Sequence, residues 1–372
     1  MDLSLTAEQR LLVDSARSYL ARDRDLTHVR AMESDARGYD PVRWHEMAAL
    51  GWLGMALGQE YGGSAQTVFD LVLLLEQMGR VLAPSPFLPT VVVAAPLLEE
   101  LADDAQRRRW LPALGAGELV VALALAEPGW RDESENVALE AQRHGEDVRL
   151  SGRKLFVPFA AHADLLLVAA RIAGAGTSLL AIEPTRPGVA CRRLSTFGGE
   201  PLHEVAFDAV AATAGDLVGP PGGAAAALER ARQHAAVGTL AMMVGGTERV
   251  LEMTVEYAKT RTQFGRPIGS FQAVAHRCVD MRSDLDALRY LVYQAAWCLA
   301  VGRPSDLEVA AAKAYGNEAL RRIYLHAHQV HGAIGFSTEH DLHLFTRRAK
   351  AAELQWGSTA AHRERVARAM GL

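Results

Sequence analysis

The chain has 372 residues, 49% of them hydrophobic and 22% charged, enough to bury a large core and long enough for two or three domains. Its formal charge of −5 comes without a basic tail or lysine cluster, which excludes the usual electrostatic footprint of a nucleic-acid or anionic-membrane binder. The start, MDLSLTAEQR, has no cationic region followed by an apolar core, and no apolar run approaches the roughly 20 residues of a membrane span, so the cytoplasm is the expected location.

Residues 1–117 carry helical signals. Thr6 with Gln9 forms a capping box, Asp40 before Pro41 opens another helix, and Val68, Leu71, Val72 and Leu75 make an apolar stripe. Residues 118–222 change to short β-type runs: VVALALA at 120–126, DLLLVAA at 164–170 and SLLAIE at 178–183. Turn signals such as HGED (144–147) and RPG (186–188) separate them, which predicts a small, mostly antiparallel β-domain. No strand is followed by GxGxxG and a helix, so a Rossmann nucleotide site is not expected. Three cysteines, Cys191, Cys278 and Cys298, have no CxxC spacing and are read as reduced structural thiols.

From residue 223, after a hinge-like PPGGAAAA at 220–227, the helical period returns. Val274, Cys278, Met281, Leu285, Leu288, Val292, Ala295 and Leu299 step by 4, 3, 4, 3, the seam of a helix packed lengthwise on others. Gly302, Arg303 and Pro304 break it. Ser305 with Glu308 reads as a second capping box, opening a helix whose stripe runs Val309, Ala312, Gly316, Ala319, Ile323, Ala327, Val330. With the flanking helices this predicts a C-terminal four-helix bundle over 223–372. The fold class is therefore α+β: an all-α domain over 1–117, an antiparallel β-domain over 118–222, and the bundle.

RTQFGRPIGSFQ, at 261–272, falls at the join between two bundle helices. A polar turn explains Gly265 and Pro267, with Ser270 placed to cap the next helix. Arg261 further offers a planar fork for phosphate or carboxylate, Phe264 a flat apolar face, and Gln272 a side-chain amide. QVHGAIGF, at 329–336, ends the next bundle helix with glycines at 332 and 335, where backbone N–H groups can approach a ligand closely. His328, His331, His340 and His343 lack a carboxylate completing a usual ligand pattern, so no metal is expected and helix capping is the better reading. Lys154, Arg347 and Arg348 are either phosphate contacts or solvated surface groups.

These motifs, with QEYGGSA (59–65), ALAEPG (124–129) and SGRKLFV (151–157), make the whole chain resemble the acyl-CoA dehydrogenase family. The resemblance implies FAD, held by an α-domain, a β-domain and a four-helix bundle whose motifs reach across a dimer interface to the ADP half of a neighbour's flavin. It places Arg261 and Gln263 at the pyrophosphate, Phe264 by the adenine, and Gln272, Gln329, Gly332 and Ala333 along the same half. Ala333 stands where the family has a second glycine.

In the family a glutamate removes the α-proton of an acyl thioester while the β-hydrogen leaves as hydride to the flavin. Here Trp356 stands at the commonest position of that base and Ala235 at the alternative one, 26 residues before Arg261. Neither can take a proton. Glu229 and Glu353 are nearby carboxylates, Glu353 being the weak candidate for a displaced base. The ring-facing positions depart as well, with Ala126, Phe156 and Pro158 replacing polar or indole side chains, and Trp130, Arg131 and Asp132 following Gly129. The half-site offered across an interface is intact, and the half-site kept for the chain itself is eroded. The reading is the non-catalytic subunit of a heteromeric, α2β2-type acyl-CoA dehydrogenase of steroid side-chain or related β-oxidation, with a paralogous partner supplying the base. Its rivals are a flavin-dependent monooxygenase of the same fold, a homo-oligomeric dehydrogenase using Glu353, and a non-enzymatic structural protein.

Overall fold

The structure, a computed structural model, describes residues 4–129, 137–144 and 147–372. Helices occupy the chain to Gly115, strands run from Val121 to Val218, and helices resume at Ala225. This is the helical, β, helical order expected from the sequence. Among the described residues no helix is long and apolar enough to cross a membrane.

Contacts gather the chain into two compact units. One comprises Met1–Arg30, Val68–Ala83 and Ala236–Leu372, the other Ala31–Thr67 and Pro84–Ala235.

The first unit is helical. At its N-terminus the Thr6 and Gln9 capping box closes as expected, each side chain bonding the other's backbone N–H at 3.0–3.1 Å. Helix Val68–Arg80 crosses helix Ala225–Thr260 backbone to backbone, because both carry glycine at the crossing. A methyl on Gly79 would sit 1.9 Å from the Met242 carbonyl oxygen, and one on Gly245 1.8 Å from that of Glu76. The buried Glu76 carboxylate stitches this crossing to helix Gln272–Ala300 through Arg289 and the Tyr293 hydroxyl, both at 2.8 Å. The expected seam of that helix is buried from Met281 to Ala295, fraying at Val274, Cys278 and Leu299, which are half-buried. The stripe from Val309 to Val330 in helix Asp306–His331 is buried throughout. Two caps differ from expectation. Ser305 precedes that helix without the capping hydrogen bond. Ser270 spends its hydroxyl on the Pro267 carbonyl at 2.7 Å, so helix Gln272–Ala300 starts from Phe271 instead. Helices Leu342–Leu354 and Thr359–Ala369 complete the unit.

The second unit holds an eight-stranded sheet: β1 (Val121–Ala124), β2 (Glu140–His144), β3 (Asp147–Pro158), β4 (Leu165–Ile172), β5 (Gly176–Ile182), β6 (Val189–Arg193), β7 (Leu202–Ala212) and β8 (Leu217–Val218). Their order is β6-β7-β3-β2-β4-β5-β8, with β1 also on β4. Most pairs are antiparallel, as expected, but β1 and β2 both lie parallel to β4 and share its length, β1 along Leu165–Val168 and β2 at Arg171 and Ile172. The core strands β1 and β4 are almost wholly buried apolar runs, as strands covered on both faces require. Asp40 caps helix Pro41–Ala49 as expected, accepting from the Val42 N–H at 2.9 Å.

Candidate functional site

RTQFGRPIGSFQ folds as a tight hairpin after helix Ala225–Thr260. Thr262 and Gln263 pair antiparallel with Pro267 and Arg266, and the Ile268 N–H closes the loop on the Arg261 carbonyl at 2.8 Å. The two turn residues, Phe264 and Gly265, have φ of +51° and +78°, the left-handed pair a two-residue hairpin of this hand needs. Glycine adopts that conformation readily. Phenylalanine does so at a cost of about 1–3 kcal/mol, and such strain clusters where a ligand is gripped. Its ring is 93% exposed. It stands edge-on to Phe271 at 6.1 Å, and the Arg266 guanidinium covers Phe271 at 4.2 Å. Arg261, Gln263 and Gln272 are exposed beside it.

QVHGAIGF ends helix Asp306–His331. Gly332 takes φ +63° and ψ −140°, a conformation essentially restricted to glycine, and a methyl built on it would meet nothing within 4 Å. The glycine is thus demanded by the turn, and the space above it is open. Gln329, Gly332 and Ala333 are all exposed, and Phe336, itself 74% exposed, stacks on His328 at 4.7 Å.

The link between the two motifs was not visible in the sequence. His331 stacks on Tyr257 with centroids 4.8 Å apart, and the Tyr257 carbonyl accepts the Arg261 N–H at 2.9 Å. Arg261, Gln263, Phe264, Gln272, Gln329, Gly332 and Ala333 are all exposed, and the stack joins the helix end that carries Arg261 to the turn that carries Gly332, a ledge of the first unit. An aromatic face, a guanidinium fork, amide side chains and a glycine turn without a side chain are what a ligand with a planar base and phosphates can use, although the Gly332 N–H is itself donated to the His328 carbonyl. Among the described residues no group of His, Cys, Asp or Glu is arranged to hold a metal.

Trp356 sits in a second strained turn of the same unit, at φ +59°. His362 Nε2 lies 2.7 Å from its carbonyl oxygen, and a methyl on the next residue, Gly357, would strike that nitrogen at 2.5 Å. Below it the fully buried Lys313 ammonium donates to the Ala352 carbonyl (2.8 Å) and to Asn317 Oδ1 (2.7 Å), and the Asn317 amide reaches the Gly357 carbonyl. A lysine and an asparagine amid alanines on a helix face were the only sequence signal for this frame. Glu353 has both oxygens engaged, with Arg321 at 2.9 Å and Lys350 at 3.0 Å. Glu229 faces Arg232 at 3.4 Å within the second unit, where Ala235 is fully buried.

In the second unit ALAEPG and SGRKLFV lie side by side, the Leu155 N–H donating to the Ala126 carbonyl at 2.8 Å. Phe156 is 58% exposed at φ +55°, within a break of register between Lys154 and Val157. Lys154 is not a phosphate contact. It is fully buried, its ammonium held by Glu127 at 2.5 Å and by the Leu125 carbonyl at 3.1 Å, and burial pulls its pKa down to about 8 against the opposing pull of Glu127. Glu127 also accepts the Ala138 and Leu139 N–H groups at 2.9 and 3.0 Å. Trp130, Arg131 and Asp132 lie outside the described residues.

The family model for the acyl-CoA dehydrogenase N-terminal domain matches residues 6–118, and that for the C-terminal domain matches residues 222–371. The chain belongs to the acyl-CoA dehydrogenase family. It is 30% identical over 354 residues to acyl-CoA dehydrogenase FadE27 of Mycobacterium tuberculosis, covering 92% of this chain and 91% of that protein. Of solved structures, a chain of the ChsE4-ChsE5 complex from Mycobacterium tuberculosis matches with a TM-score of 0.91 at 28% identity, over 100% of this chain and 99% of that one. The FAD complex of PigA matches with a TM-score of 0.91 at 25% identity over 100% of both chains. As an acyl-CoA dehydrogenase family member, the chain has the exposed ledge at the motifs that resemblance assigned to flavin, and tryptophan and alanine at both positions assigned to the base.

Proposed function

We propose that this chain is the non-catalytic subunit of a heteromeric, α2β2-type acyl-CoA dehydrogenase of the cytoplasm, with domains over 1–117, 118–222 and 223–372. It completes the adenine and pyrophosphate side of an FAD seated on a paralogous partner, which supplies the base for α,β-desaturation of an acyl thioester. The observation that carries this is the ledge: Phe264 is held in left-handed backbone and is almost wholly exposed, meeting Phe271 only edge-on. The residues fit the cofactor. Arg261 and Gln263 would hold the pyrophosphate, Phe264 would pack by the adenine, Gln272 and Gln329 would bond polar edges, and the bare Gly332 turn would let phosphate oxygen approach the Ala333 N–H, needing no side chain at Ala333; the Gly332 N–H itself is donated to the His328 carbonyl. Bound FAD supplies hydride acceptance. The α-proton requires a carboxylate, which neither Trp356 nor Ala235 provides. The similarity to a chain of the ChsE4-ChsE5 complex and to the FAD complex of PigA supports both halves of the reading.

Stoichiometry tests it. A symmetric dimer repeats every contact, so a homodimer of this chain would pair two intact adenine sides with two eroded ring sides, whereas a heterodimer makes one complete site. Co-expressed with its partner the chain should give a yellow complex with one FAD per heterodimer, and alone it should be colourless. Close to one FAD per subunit in the chain alone, reduced by an acyl thioester, would refute the reading.

Trp356→Glu should not create dehydrogenase activity, because Ala126, Phe156 and Pro158 leave the ring side incomplete. Its assay is acyl-CoA turnover with an artificial electron acceptor; turnover by this single variant would show a competent site.

A further inference from the structure

Beneath the ledge three imidazoles meet: His331 is tilted against His340 with centroids 4.9 Å apart, and His328 packs under the same loop. Their hydrogen bonds fix the tautomers. His331 Nδ1 lies 2.8 Å from the Ala327 carbonyl and must donate to it, so Nε2 is the bare nitrogen, buried and without a partner among the described residues. Thr346 gives its hydroxyl hydrogen to the Leu342 carbonyl at 3.0 Å and so accepts from His328 Nε2 at 2.8 Å. That leaves His328 Nδ1 bare, buried and unpartnered against Gly335. His340 Nδ1 accepts the Leu342 N–H at 3.2 Å and is likewise unprotonated. A second proton on any of these rings would enter a buried nitrogen with no acceptor, or one already receiving an N–H.

Little around the trio could offset that charge. Helix Ala225–Thr260 presents Tyr257, and helix Leu342–Leu354 presents Thr346. The carboxylate acting on His340 is that of Asp341, already 2.8 Å from Arg30. Burial lowers the pKa of all three histidines below the ordinary value, and His340 lowers those of His328 and His331 further.

We propose that His331 is a positioning residue of the ledge: neutral, its ring ties the glycine loop to Tyr257 and hence to Arg261, and a proton taken up by the trio parts the two motifs and releases the adenine side of the cofactor. The proposal rests on the FAD reading above. Because the folded trio binds protons less readily than free histidine, the stabilisation is complete above the ordinary pKa of about 6.5 and is lost as pH falls below it.

The test compares the FAD-loaded complex of this chain and its partner at pH 7.5 and 5.5. Wild type should bind FAD at least about tenfold more weakly at the lower pH, while His331→Phe, which keeps a flat ring for Tyr257 but takes no proton, should lose no more than about threefold. His328→Gln retains a donor for Thr346 and should flatten the profile in the same direction, so a folding failure in one variant leaves the other to decide. Hydrogen exchange gives a readout independent of flavin: in wild type the amides of residues 332–336 should lose protection at pH 5.5, and in both variants they should keep it. Identical pH profiles and identical protection in all three proteins overturn the proposal. If Arg261→Ala leaves flavin retention unaltered, the functional reading fails, and exchange alone still decides whether the histidines hold the loop.

Discussion

Replacing Arg261 with alanine should weaken FAD binding by the assembled complex roughly 10- to 150-fold, from the loss of charge-assisted hydrogen bonds worth about 1.5–3 kcal/mol. The fold should not register the change. Arg261 is exposed, and the hairpin closes through its backbone carbonyl on the Ile268 N–H, which alanine keeps. Arg261→Lys should fall between, since a point charge replaces the fork that meets two phosphate oxygens at once. Flavin retention on dialysis, followed by absorbance, reads the result. Unchanged retention in the alanine variant would remove Arg261 from the pyrophosphate site and with it the main support for the subunit reading.

The second large effect is on stability and belongs to the other unit. Lys154→Met should destabilise it by about 3–5 kcal/mol, because the change strands the Glu127 carboxylate in a buried position. Glu127 would keep the Ala138 and Leu139 N–H groups but no cation. The double variant Lys154→Met, Glu127→Gln should recover part of the loss, since it removes both charges, while the single amide oxygen accepts from only one of those two N–H groups. Urea denaturation of the two single variants and the double variant gives the coupling directly. A loss below about 1 kcal/mol for Lys154→Met would mean that the pair is solvated and behaves as a surface salt bridge.

The helices were legible in the sequence because their signals are local. The steps of four and three from Met281 to Ala295 mark the buried face of one helix wherever that helix packs, and the Thr6 and Gln9 box closes within its own first turn. Likewise, the asymmetry on which the proposed function rests is a matter of residue identity at 261–272, 329–336, 235 and 356. Local signals misled where a second local partner competed, as at Ser270, whose hydroxyl found the Pro267 carbonyl. They were silent where the partner is distant in the chain. Lys154 reads as a phosphate contact or a solvated surface group until the fold sets it on Glu127, and nothing in the sequence marks Lys313 as the donor to the Ala352 carbonyl near the end of helix Leu342–Leu354. The parallel placement of β1 and β2 on one edge of β4 depends on pairing that no short window contains. The ledge shows the division most clearly. Sequence supplied its exposed candidate residues, because their chemistry is their own, but only tertiary structure, by stacking His331 on Tyr257, joined the ends of the two motifs.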